Sequence, residues 1–208
     1  MNNRFKIVVL AITALLAIVT YISPVFPREQ FLQQAGTILL VALMLCDLRK
    51  RWFSNLAFLV IALFLMLHLV GARYIYSYVP YQDWLQCLGD WECLHTSRNH
   101  YDRLVHLLFG VFLFPALVEF SRRRVTSRQV MAVLVAWLLV QAGSLIYELF
   151  EWGLTLVLSP EDAEGYNGQQ GDLWDAHKDM ALAMLGSTVA AGYYIVRSSL
   201  KRGKLFAE

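Results

Sequence analysis

Six side chains in this sequence have the types and spacing for metal or proton chemistry: Asp102 and His106, Glu148 and Glu151, and Asp175 and Asp179. Asp102-x-x-x-His106 places a carboxylate and an imidazole on one face of a helix. That spacing serves either to orient the imidazole or to offer two ligands to one ion. Glu148 and Glu151 belong to a longer series, Gln141, Ser144, Glu148, Glu151 and Thr155, which recurs at steps of three and four and so writes one polar line along a helix. Asp172, Asp175 and Asp179 stand at i, i+3 and i+7 and share a face of another helix. Carboxylates with one imidazole suit a hard or borderline divalent ion such as manganese, magnesium or zinc. The same groups could instead share protons and run acid–base chemistry, or be neutralised by Arg73, Arg103 and Lys178 in a structural network. The doubled Glu-x-x-His of di-iron bundles is absent. So are a phosphate-binding Gly-x-x-x-x-Gly-Lys loop, a dinucleotide fingerprint and a Gly-x-Ser-x-Gly elbow.

The elements that must hold these residues are membrane helices. The 208 residues are 58% hydrophobic and 16% charged, against about 45–50% and 25% in an ordinary soluble domain. The apolar excess falls into six runs, roughly 5–22, 31–46, 54–72, 104–120, 130–158 and 180–196, each near the length that crosses a hydrocarbon core. The expectation is one all-α integral membrane domain over 1–208, a polytopic bundle of six transmembrane helices. No small-residue cleavage site follows the first run, so it is expected to be a retained span rather than a signal peptide. With the N-terminus cytoplasmic, 13 of the 18 basic residues fall on the inner side: Arg4, Lys6, Arg49, Lys50, Arg51, Arg122, Arg123, Arg124, Arg128, Arg197, Lys201, Arg202 and Lys204. The positive-inside rule then places both termini in the cytoplasm. The net charge of +2 averages a basic and an acidic face and gives no reason to expect nucleic acid.

This topology gathers the chemistry at one depth. Glu148 lies about 27 Å above Val130 along its helix, near the outer boundary where Asp102 and His106 begin the fourth span. Below Asp179 its face continues through Ala183, Gly186 and Ala190, small residues that mark close helix packing and aim the aspartate into the bundle. The outer connection 73–101 is long and aromatic, an interfacial cap or a lid over a site. Within it Cys87 and Cys93 are six apart on the oxidising side, and a disulfide between them is expected. His68 in the third span reads first as a packing residue with a hydrogen-bonded neighbour. The glycine-rich acidic stretch 159–171 has no apolar periodicity and reads as a solvated loop or a mobile gate.

Tyr101-Asp102-Arg103-x-x-His106, Glu148-x-x-Glu151-Trp152 and Gly171-Asp172-x-Trp174-Asp175-x-x-x-Asp179-Met180 resemble the bacterial YjdF-type inner-membrane proteins across essentially the whole chain. The resemblance implies an architecture and a location, not an activity. More distantly, the pattern is similar to the VanZ-like family, with Asp-Lys-x-x-His, Glu-x-x-Gln and Asp-x-x-x-Asn-x-x-Gly in the same order. Here Arg103 replaces the lysine, Glu151 the glutamine and Ala183 the asparagine, and the last change removes an amide from the implied pocket.

The favoured expectation is an envelope-facing membrane enzyme or binder. In it Asp102, His106, Glu148, Glu151 and Asp179, with Asp175 among the ligands, hold a divalent metal or run acid–base chemistry on a lipid-linked or cell-envelope molecule. A small proton- or ion-coupled transporter is the alternative, because Gln141 and Ser144 carry the polar line toward mid-membrane. A scaffold with a structural acidic cluster is the third. The bilayer is the one partner the sequence names; substrate, metal and oligomeric state are left open.

Overall fold

The computed structural model describes residues 3–87, 89 and 97–205, and among them it contains ten helices and no strand. In order they are α1 (Arg4–Thr20), α2 (Pro27–Leu32), α3 (Gln34–Lys50), α4 (Asn55–Arg73), α5 (Tyr81–Gln86), α6 (Tyr101–Phe112), α7 (Phe114–Arg124), α8 (Gln129–Thr155), α9 (Pro160–Asn167) and α10 (Asp175–Leu205). Among the described residues five stretches are long and apolar enough to cross a membrane: Pro27–Lys50, Asn55–Arg73, Tyr101–Arg124, Gln129–Thr155 and Asp175–Leu200. α1 is equally apolar but has 17 residues, the short end of the spanning range. Along these helices Ile12, Leu15, Ile38, Leu39, Leu138, Ile146 and Val189 stand exposed, an apolar girdle that water would not tolerate and lipid would.

Two of the expected spans are broken. Pro115 has no amide hydrogen for the ladder, so α6 stops at Phe112 and α7 restarts at Phe114. α2 and α3 part at Gln33, a buried residue whose backbone and side chain both serve the interior. The stretch 159–171, expected as a loop, contains α9. Ser159 caps it by accepting from the Asp162 amide at 3.2 Å, Pro160 occupies the first turn, and Gly168 ends it in the left-handed region at φ 65°. Those start and stop signals are in the sequence; the missing apolar period reflects a helix so short that Ala163 and Tyr166 supply its buried face.

α4 is the seam. On one side it packs with α1 and α3 around Met44, Phe58, Ile61 and Leu65; on the other it meets α6. α10 packs along both α6 and α8, so the three helices that carry the chemical motifs are neighbours. The contact between α6 and α10 is made by two glycines. A methyl on Gly110 would lie 2.2 Å from the Ala183 carbonyl oxygen, and one on Gly186 would lie 2.1 Å from that of Leu107, so backbone meets backbone there. On the α8 side Val133, Ala136 and Val140 pack with Ala183, and two hydrogen bonds are added, Gln141 donating to Ser187 Oγ at 2.9 Å and Trp137 to Thr188 Oγ1 at 3.0 Å. We call the end near Arg122 the arginine end and the end bearing α5 and α9 the loop end.

Candidate functional site

The glycine contact between α6 and α10 sets where their first turns lie, and those turns carry the acids. Asp102, His106 and Asp179 each offer a ligand atom, and all three atoms fall within 4.8 Å of one another. Ligands across one ion are separated by up to twice a bond of about 2.0–2.6 Å, so spacings up to about 5 Å are compatible with a shared cation. His106 Nε2 is 3.6 Å from Asp102 Oδ1 and 3.7 Å from Glu148 Oε1, too far for hydrogen bonds. Glu148 Oε1 and Asp179 Oδ1 are buried with no hydrogen-bond partner in the protein. A buried acceptor left this way is costly unless something else meets it.

Asp172 and Asp175 are already spent. Asp175 pairs with Arg98 at 2.5 Å and lies 3.5 Å from Arg103, while Asp172 takes Arg103 and Lys178, each at 2.5 Å. Lys178, the turn amide of Trp174 and Arg103 together hold the Asp172 carboxyl down to about 2. Arg73, expected among the partners of the acids, instead donates to the carbonyls of Thr20, Ile22 and Ser23 past the end of α1. A structural ion network therefore exists, but it absorbs Asp172 and Asp175 and leaves Asp102, His106, Glu148 and Asp179 facing each other. Cys87 is exposed; its expected partner Cys93 lies outside the described residues.

Beside this cluster is a cavity of about 490 Å³. Its loop-end wall is polar, with Gln33, His68, Tyr76, Asp102, His106 and Tyr166; toward mid-membrane the lining is Leu40, Phe64, Phe109 and Leu113. His68 is held at both ring nitrogens. Nε2 lies 3.1 Å from the Gln33 carbonyl, which can only accept, so Nε2 carries the hydrogen and Nδ1 accepts from the Tyr76 hydroxyl at 2.5 Å. Tyr76 reaches it because Ile75 and Tyr76 turn through the left-handed region and the ring lies over Gly71, where a methyl would be 2.5 Å from it. Burial first, and then the Asp102 carboxylate, push the Tyr76 hydroxyl well above its ordinary range, so it stays a donor. Tyr166 of α9 is pushed up to about 12 by burial and by Glu151, which places Glu151 within electrostatic reach of the same wall. Ser144 lines the cavity with its buried hydroxyl unpartnered, whereas Thr155 is exposed and bonds to its own helix.

Gln33, Tyr76, Tyr147 and Tyr166 were not singled out from the sequence. Gln30, Gln33 and Thr37 at i, i+3 and i+7 in an apolar run were the available signal, a polar stripe of the same kind as the one on α8. Tyr147 sits beside His106 with ring centres 5.9 Å apart. The tyrosines had no signal beyond their membership of aromatic segments.

A bundle of membrane-length helices with carboxylates and an imidazole turned inward is the class this chain falls into by its structure. The family model described as a predicted membrane protein, DUF2238, matches residues 5–199, and the chain belongs to that family. It is similar to the inner membrane protein YjdF of Escherichia coli (strain K12), 35% identical over 177 residues that cover 83% of this chain and 80% of that one. No solved structure matches it.

Proposed function

We propose that the protein is a bacterial inner-membrane protein of six spans, α1 being the first, which binds a divalent cation at Asp102, His106 and Asp179 and uses it to hold or process a lipid-linked or envelope molecule. The observation that carries this reading is the triad itself: three ligand atoms of suitable chemistry within 4.8 Å, with the second oxygen-rich partner Glu148 3.7 Å from the imidazole. A cation would neutralise carboxylates that, among the described residues, make no ion pair with arginine or lysine, and would occupy the side that Asp179 Oδ1 leaves unpartnered. Glu148, 3.7 Å from the imidazole, and Glu151, three residues further along α8, are then offered for proton transfer. The uneven spread of lysine and arginine supports cytoplasmic termini and an envelope-facing site, and the relative's name supports the inner membrane. The order of the three motifs, similar to that of VanZ-like proteins, supports an envelope role. A transport route through the bundle draws less support, because Gln141 is engaged with Ser187 and the cavity becomes apolar toward mid-membrane.

The test is the metal content of detergent-purified protein by elemental mass spectrometry, beside His106→Ala and Asp179→Asn variants that elute as folded protein. The expected result is close to one manganese, magnesium or zinc per chain, lost in both variants. Wild-type protein that holds no metal after supplementation with each of the three would overturn the reading.

A further inference from the structure

The cavity beside the triad has the shape of a site for an amphiphile, not for a soluble molecule. Along α6 it runs from Asp102 to Leu113, a rise of about 16 Å, or roughly half the hydrocarbon thickness of a bilayer. Its polarity is graded in the same direction. Gln33, His68, Tyr76 and the triad residues Asp102 and His106 stand at the loop end, and the deep end is closed by Leu40, Phe64 and Leu113. In the lower half Ser144 is the polar side chain that the lining offers, so a polar solute would find little to bond there and a hydrocarbon chain would find little cost.

The way in is sideways. α3 and α8 both contribute to the lining but do not pack along one another. At the gap between them Leu39 is 71% exposed and Ile146 65% exposed, in stretches that lie within membrane-length helices. The floor of this gap is low because Gly36 and Gly143 carry no side chain; a methyl on Gly36 would sit 3.5 Å from the His68 ring, at ordinary contact. A molecule entering here comes from the bilayer, not from water. The volume is that of a site for one drug-sized ligand, which admits one chain and not the two of a phospholipid.

We infer that the cavity between α3, α6 and α8 takes a single hydrocarbon chain of a membrane lipid through the gap at Leu39 and Ile146, with the lipid's phosphate headgroup at the Asp102–His106–Asp179 cluster. The chain part rests on the cavity alone; the phosphate part rests on the metal reading above, since a carboxylate cluster receives an anion only through a cation.

The probe is hexadecyl phosphate carrying a diazirine at mid-chain, mixed into phosphatidylcholine nanodiscs with the full-length protein, photolysed and mapped by peptide mass spectrometry. Labelling is expected on the lower cavity wall, around Phe109 and Leu113. Ile146→Trp, which fills the mouth at an exposed position, and Gly36→Leu, which fills the floor, are expected to cut it by about tenfold, the worth of excluding roughly two methylenes from an apolar site. Because Ile146 is exposed, that variant decides the matter should Gly36→Leu fail to fold. Labelling spread evenly over lipid-facing helices, or unchanged in Ile146→Trp, overturns the inference. Metal content measured on the same samples separates the two readings. A labelled cavity without metal retains the chain site and sinks the cation, and metal without cavity labelling does the reverse.

Discussion

At the arginine end of the bundle, Lys6 and Asp47 meet at 2.5 Å with 3% and 0% of their side chains exposed. Lys6 Nζ also donates to the Phe53 carbonyl at 2.6 Å, and Asp47 Oδ1 accepts from the Phe53 amide at 2.8 Å. At the loop end, Asp179 and Glu148 are about as deeply buried, yet among the described residues each has an oxygen with no hydrogen-bond partner and makes no ion pair with lysine or arginine. Both regions remove charge from water. One satisfies it internally and ties α1 to the turn between α3 and α4; the other leaves acceptors open toward one another. A fold that needed the loop-end acids only for cohesion would have paired them as it paired Asp47, and as it paired Asp172 and Asp175 one turn away. The unmatched end is where a ligand is expected.

The comparison is broken most directly at the paired end. Asp47→Ala strands Lys6 in the interior and is expected to destabilise the protein by about 3–5 kcal/mol, with Lys6→Met/Asp47→Leu recovering most of it. Thermal unfolding in detergent measures both, and a single variant within error of wild type would deny that the pair is a latch. Next in size are Gly110→Ala and Gly186→Ala, each of which drives a methyl into backbone across the α6–α10 contact. A cost of about 1–3 kcal/mol is expected, together with loss of bound metal, because the triad is built across that contact. Stability lost with metal retained would mean that the contact does not set the site.

At the open end the sign should differ. Without metal, Asp179→Asn removes an uncompensated buried acid, and its stability is expected to lie within about 1 kcal/mol of wild type or above it. With metal in excess the wild type should overtake it by about 2.7 kcal/mol at a hundredfold excess over the dissociation constant. The smallest effect concerns Asp172. Its folded pKa of about 2 lies below the ordinary 3.8, so the stability it adds is complete above about pH 4 and is lost as pH falls toward 2. Lys178→Ala, which removes the partner first among the causes, should flatten the acid arm of a stability–pH curve in that window and leave neutral pH unchanged. A curve that keeps its slope in Lys178→Ala would remove that assignment.

Much of the loop end was legible because helical periodicity and membrane physics act on the same residues. Asp179 with Ala183 and Gly186 below it had to face a neighbour, and it does. Asp102 and His106 four apart had to share a face, and they lie together. The latch at the arginine end was not legible. Lys6 and Asp47 sit in segments where lysine and aspartate are ordinary solvated residues, and only the approach of α1 to the turn after α3 buries them. α9 was hidden for a similar reason: its start and stop signals are local, but its value as a wall depends on Tyr166 meeting a cavity made by other helices.

That the chain is a bundle of membrane-length helices, and which face of each must turn inward, follows from the order of its residues. Burial of apolar residues in lipid and of carboxylates away from it leaves no other arrangement of a 3.6-residue period. Which acids are neutralised and which are not follows from how the helices pack. That depends on distances between helices: Arg98 and Arg103 reach Asp175 and Asp172, Arg73 is turned to the end of α1, and two glycines bring Asp102 and Asp179 to one point where, among the described residues, neither makes an ion pair with arginine or lysine.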